Sequence, residues 1–130
     1  MKTMIKNAAV FMVITIGLVA CSKDNVVEFY STGEWRLDQY FYNGGDSTDA
    51  YLQTHENYDL NLKVGHDFTE TAIINDSPYG VSGTWEVTNN AKTLRLYDSF
   101  NGTREYEITY TSAATLKIKK GVEEWSLKRP

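Results

Sequence analysis

Two histidines, His55 and His66, one thiol, Cys21, and seventeen carboxylates are the groups in this 130-residue chain best suited to metal binding or acid–base and nucleophilic chemistry. The histidines lack a cysteine partner and any mate at the i, i+2 or i, i+4 spacing that a zinc site uses, so they read as surface loop residues. Asp46 and Asp49 lie in a polar loop without the dense oxygen ligands and following glutamate of a calcium loop. Glu105 and Glu107 fall on one side of a strand pattern, and Glu123 and Glu124 straddle another. Acid–base hydrolysis needs two carboxylates whose surroundings push their pKa values apart, and the flanking residues mark no such difference. These glutamates read as solvated outer faces. No serine has a nucleophile-elbow context, because Ser82-Gly83 falls inside a strand pattern. The residues predict neither an enzyme nor a metal or other cofactor.

Cys21 has a different context. Lys2 and Lys6 stand without an acidic partner ahead of a run, residues 8–20, that is apolar except for Thr15 and Gly17. A basic segment followed by a short apolar one is the pattern of a signal peptide. The run ends at Cys21-Ser22-Lys23-Asp24, short of the roughly 20 apolar residues that a membrane-crossing helix needs. Leu18-Val19-Ala20-Cys21 looks like the lipobox of bacterial lipoproteins, which implies cleavage before Cys21 and acylation of its sulfur. Each buried methylene contributes about 0.8 kcal/mol and one acyl chain holds only weakly, so multiple acylation is what would anchor the protein firmly. Ser22 after the cysteine, in place of Asp, fits delivery to an outer membrane, with the side that the domain faces left open.

Removing residues 1–20 takes away Lys2 and Lys6 and leaves 11 basic against 17 acidic residues, a net charge of −6. That sign repels phosphate backbones, so no nucleic-acid partner is expected. The remaining 110 residues suffice for one domain and one modest core, and a monomer is expected. The division is a signal peptide over 1–20, a lipidated cysteine with its tether over 21–30, and a β domain over 31–130.

Within that domain the period is two. Tyr58, Leu60, Leu62 and Val64 alternate with Asp59, Asn61 and Lys63, which assigns the apolar set to one face of a strand. The same alternation runs through Val81 to Val87, Leu94 to Leu96, Tyr106 to Tyr110, Leu116 to Ile118 and Trp125 to Leu127. Trp35, Leu37 and Phe41 suggest an earlier strand with Gln39 as the odd member, and residues 68–74 carry apolar groups on both faces. Turn residues such as Gly65-His66-Asp67, Ser77-Pro78-Tyr79-Gly80, Asn89-Asn90, Asn101-Gly102 and Lys120-Gly121 separate the runs at roughly 8 to 12 residues. Strands are predicted at 34–42, 57–64, 67–75, 81–88, 92–98, 103–111, 114–119 and 122–128, with no helix. Short hairpins between sequential strands make an all-β, antiparallel up-and-down meander, and closing it into a barrel removes the exposed edges.

Gly33-Glu34-Trp35, Gly83-Thr84-Trp85, Leu94-Arg95-Leu96, Tyr106-Glu107-Ile108, Leu116-Lys117-Ile118 and Trp125-Ser126-Leu127-Lys128 fall at successive strands of that rhythm. The pattern resembles the small lipocalin-like lipoproteins of Bacteroidetes. The resemblance implies an eight-stranded lipocalin-like barrel at the cell envelope. A small apolar ligand is expected inside it, held by Trp35, Tyr58, Leu60, Leu62, Phe68, Trp85, Tyr106 and Trp125. The alternative is a filled barrel that binds a protein or glycan through the loop 43–56 or through exposed Tyr40, Tyr42 and Tyr51. Cys21→Ala is expected to move the protein from the membrane fraction to the soluble one, as cell fractionation would report.

Overall fold

Successive side chains of a strand point to opposite faces, and the chain uses this eight times around one interior. The computed structural model describes residues 22–130; Cys21 and the residues before it, the expected signal peptide, lie outside the described residues. In chain order the elements are helix α1 (Ser22–Ser31), β1 (Gly33–Tyr42), the two-residue β2 (Gly45–Asp46), helix α2 (Thr48–Thr54) and β3 (His55–Leu62). Then come β4 (Asp67–Ile74), β5 (Ser77–Thr88), β6 (Thr93–Asp98), β7 (Gly102–Thr111), β8 (Thr115–Lys120) and β9 (Glu123–Lys128). All pairings are antiparallel and follow chain order from β3 to β9, while β1 pairs with both β3 and β9. The meander thus closes into the expected eight-stranded barrel, with β2 hung on the end of β1.

Several local readings change. Ser77-Pro78-Tyr79-Gly80 opens β5 rather than forming a turn; the turn is Asn75-Asp76, whose φ values of 50° and 63° suit a tight two-residue hairpin. Val64 leaves the β3 face and stands in the turn before β4, 88% exposed. Register shifts mark irregularities between Leu37 and Gln39 and between Ile108 and Tyr110. One extra residue in a strand reverses which side chains point inward beyond it. Tyr40, not Phe41, therefore continues the face of Trp35, and Tyr40 is buried instead of exposed, while Tyr110 faces solvent.

Helices occur where none was predicted. Residues 22–30 of the expected tether, with Ser31, form α1, and part of the loop 43–56 forms α2. Helix α1 lies against the end of the barrel that carries both Gly-x-Trp segments. There Trp35 Nε1 donates to the Ser31 carbonyl at 2.7 Å, and Trp85 Nε1 donates to the Lys63 carbonyl at 2.9 Å. The Arg129 guanidinium, just past β9, sits 3.7 Å from the Trp35 ring centre and donates to the Tyr30 carbonyl at 2.8 Å. A cation over an indole face is attracted by its quadrupole, so the last strand is tied to the first and to the helix.

Gly83 shows why this end tolerates no side chain at the crossing of β5 and β6. A Cβ there would collide with the Tyr97 carbonyl of the neighbouring strand and press on Phe68. Gly83→Ala is expected to destabilise the domain by about 3 kcal/mol or more, because the core must shift to admit the methyl. Gly80→Ala, in the same strand with only ordinary contacts around its added carbon, should change the urea midpoint little.

Candidate functional site

Inward-facing residues near the far end of the barrel do not all meet. Ala72, Ile74, Leu96, Ile118 and Leu127 make the apolar part of a cavity of about 170 Å³, and Tyr51 and His55 close over it from α2 and the start of β3. Of the residues expected inside the barrel, Tyr58, Tyr106 and Trp125 line this cavity. Trp35, Leu60, Leu62, Phe68 and Trp85 lie instead in the packed core outside the lining.

The remaining wall is charged, and its ion pair was not among the expected site residues. Glu70, on the inward face of β4 between Phe68 and Ala72, is 4% exposed and lines the cavity beside Arg104 of β7. Tyr58 donates its hydroxyl to Glu70 Oε2 at 2.7 Å, and Tyr79 and Arg104 Nη1 donate to Oε1 at 3.1 and 3.0 Å. Arg104 Nη2 reaches Asp98 Oδ2 at 3.2 Å, and Nη1 also approaches the Tyr106 hydroxyl at 3.3 Å. Asp98 Oδ1 accepts from the backbone N–H groups of Phe100 and Asn101 at 2.9 and 2.7 Å, which anchors the network in the β6–β7 turn.

These contacts bear on the ionisation of Arg104, Asp98 and Tyr58. Burial weakens the Arg104 cation, but the charge of and hydrogen bond to Glu70, together with Tyr106 and Tyr79, hold Arg104 above its ordinary range. Asp98 is penalised by burial, yet its hydrogen bonds from Asn101 and Phe100 hold its carboxyl below the usual value. Burial, followed by the charge of Glu70, pushes the Tyr58 hydroxyl far above its usual value, so it stays a neutral donor. Both Glu70 oxygens are engaged, so the wall offers fixed hydrogen-bonding groups in an orientation set by the ion pair.

Aromatic rings form the mouth. Tyr40 stacks on Tyr51 at 4.1 Å, Tyr51 stacks on His55 at 4.0 Å with ring planes 5° apart, and Trp125 meets Tyr106 edge to face at 5.6 Å. Such pairs contribute about 0.5–1.5 kcal/mol beyond burial. The loop 43–56 is thereby built into the mouth rather than standing free of it. Thr48 N and Oγ1 both donate to Asp46 Oδ1, and those two bonds hold the Asp46 carboxyl below its usual range. Tyr42 is exposed, His55 belongs to the mouth, and His66 lies in the β3–β4 turn at the opposite end, paired with Glu28 at 2.6 Å. Glu105 and Glu107 face solvent as expected, whereas Glu123 is half-buried and accepts from the Tyr40 hydroxyl at 2.7 Å.

Alternation within β4 and β7 carried a usable signal. Glu70 shares parity with Phe68, and Arg104 shares parity with Tyr106, so each placed a charge on an inward face. Tyr51, expected to stand exposed in the loop, is half-buried in the mouth, a position that depends on how the loop folds.

Removing one partner of a buried pair leaves the other uncompensated, which costs about 3–5 kcal/mol. Glu70→Leu is expected to fall in that range by urea denaturation. The double variant Glu70→Leu with Arg104→Met should recover most of the loss, since the stranded cation goes with its partner.

No family model matches the chain, and no curated protein sequence matches it. Two solved structures are similar. A lipocalin-like protein from Bacteroides uniformis superposes with a TM-score of 0.61 at 13% identity, covering 77% of this chain and 98% of that one. An uncharacterised protein from Bacteroides eggerthii gives 0.59 at 8% identity, covering 76% and 98%. At these identities the likeness is one of fold: the chain is a closed, eight-stranded lipocalin-like barrel with a small, partly charged cavity at one end.

Proposed function

We propose that this protein is an envelope lipoprotein, cleaved before Cys21 and acylated there, that binds a small molecule in the end of its barrel. The motif Leu18-Val19-Ala20-Cys21 behind a basic and then apolar segment supports the anchor, and Ser22 supports an outer-membrane destination. Binding, rather than catalysis, is the reading that the cavity supports. At about 170 Å³ it is smaller than the roughly 300–1,000 Å³ of pockets for drug-sized ligands, so its occupant is small.

Its chemistry follows from the lining. Leu96, Ile118 and Leu127 on one side ask for an apolar body, and the stacked rings of Tyr51 and His55 favour a flat one. Tyr58, Tyr79 and Arg104 on the other side ask for a polar end. The expected apolar ligand therefore becomes an amphipathic one. The single observation that carries this reading is the buried Glu70–Arg104 pair in the wall of a cavity that is otherwise ringed by aromatic and aliphatic groups.

Mass spectrometry of the solvent extract of natively purified, then denatured, protein is expected to show one small molecule in the wild type. Ala72→Phe, which fills the cavity from β4, should carry none while keeping the barrel's circular dichroism. Indole and p-cresol serve as probes, and a binder present at a hundredfold excess over its Kd should stabilise the wild type by about 2.7 kcal/mol. An empty extract together with unmoved melting temperatures for both probes would defeat the proposal.

A further inference from the structure

Helix α1 shows its apolar side to solvent. Asp24, Val27, Glu28 and Ser31, spaced i, i+3, i+4 and i+7, form the face turned to the barrel. Asp24 Oδ1 accepts from the Ala91 N–H in the β5–β6 turn, Glu28 pairs with His66, Val27 packs against the core, and Ser31 is buried. Val26, Phe29 and Tyr30, also at i, i+3 and i+4, form a stripe beside exposed Lys23, and Phe29 is 76% exposed. A helix packed on a globular domain ordinarily does the reverse. Val64, from the β3–β4 turn, borders with Phe29, Tyr30 and Lys63 the same surface groove of about 610 Å³.

We propose that this face seats the base of the barrel on the lipid bilayer, with Phe29, Val26 and Val64 entering the interface. The proposal rests on the acylation of Cys21 put forward above. Three observations select lipid over other occupants. First, α1 begins at Ser22, so the acylated residue is one Cα step, about 3.8 Å, from the start of a helix fixed to the barrel. Second, the stripe combines apolar side chains and a tyrosine with Lys23 and Lys63 at its margins, which suits a membrane–water interface. Third, a stable protein interface takes roughly 20–30 residues a side, far more than this stripe and one turn residue supply.

Seating fixes orientation. The base carries α1, the β3–β4 turn and the β5–β6 turn, while the cavity opens at the end bearing α2 and the β8–β9 turn. Ligand thus enters from the aqueous side and not out of the bilayer.

Cys21 is the chain's only cysteine, so acylation leaves no thiol free. The mature protein purified from membranes is placed on vesicles of phosphatidylethanolamine and phosphatidylglycerol. Wild type is expected to take up no thiol-reactive nitrobenzoxadiazole label. Val64→Cys labelled at the base should emit to the blue and severalfold more strongly on vesicles, and Phe29→Ser in that background should reverse much of the gain. Val122→Cys, in the half-exposed β8–β9 turn, should keep its water-like emission. Equal, water-like emission from both sites overturns the seating and leaves the anchor standing. A gain at Val64→Cys that grows with protein concentration at fixed lipid assigns the face to a second copy and overturns it as well. Labelling of the wild type shows that Cys21 is free, and then both anchor and seating fall.

Discussion

The first strand has two neighbours to satisfy, and the barrel depends on how it divides them. Gly33 to Arg36 pair with β3, and Arg36 to Tyr42 pair with β9, so β1 changes partner near Arg36. The irregularity between Leu37 and Gln39 lies just past that change, and a bulge bends a strand and strengthens its twist. Below the change the strands close on packed indoles. Above it β1 and β3 no longer pair, and α2 with Tyr51 occupies that stretch of the wall. The cavity is a consequence of the same switch that closes the ring.

That division explains the placement of the polar network. Burying a carboxylate and a guanidinium is expensive, and a well-packed apolar pair in their place is often as stable or more so. Glu70 and Arg104 therefore gain the fold little that leucine could not supply. Where a chain departs from the plain pattern of its elements, the departure tends to mark a functional position. Here both departures, one on β4 and one on β7, pair with each other in the wall of a single cavity.

Much of the barrel was legible because alternation is a local property and turn residues announce themselves. The strand limits follow Asn89-Asn90, Asn101-Gly102 and Lys120-Gly121 closely. What alternation cannot register is an inserted residue, which is why Tyr40 and Tyr110 were assigned to the wrong faces beyond Asp38 and Thr109. Helix α1 escaped notice for a related reason. Its barrel-facing stripe is mostly polar and its outer stripe mostly apolar, so ordinary amphipathic reasoning finds a short polar tether. The cavity was half legible: Tyr58, Tyr106 and Trp125 follow from parity, whereas Glu70 and Arg104 required treating an inward charge as information rather than noise.

A domain of this size retains a cavity only if other regions are well packed. Left dry, a space of 170 Å³ would cost about 4 kcal/mol at roughly 24 cal/mol per Å³. Small domains have only about 5–15 kcal/mol in total. The base offsets such a loss with Trp35, Trp85 and Phe68 buried together and with Arg129 laid across Trp35. At the mouth, the hydroxyls of Tyr58, Tyr79 and Tyr106 and the Arg104 guanidinium make the wall wettable, which lowers the penalty that an apolar cavity would impose. The two ends thus do different work. One is packed around indoles, and the other is walled by polar groups.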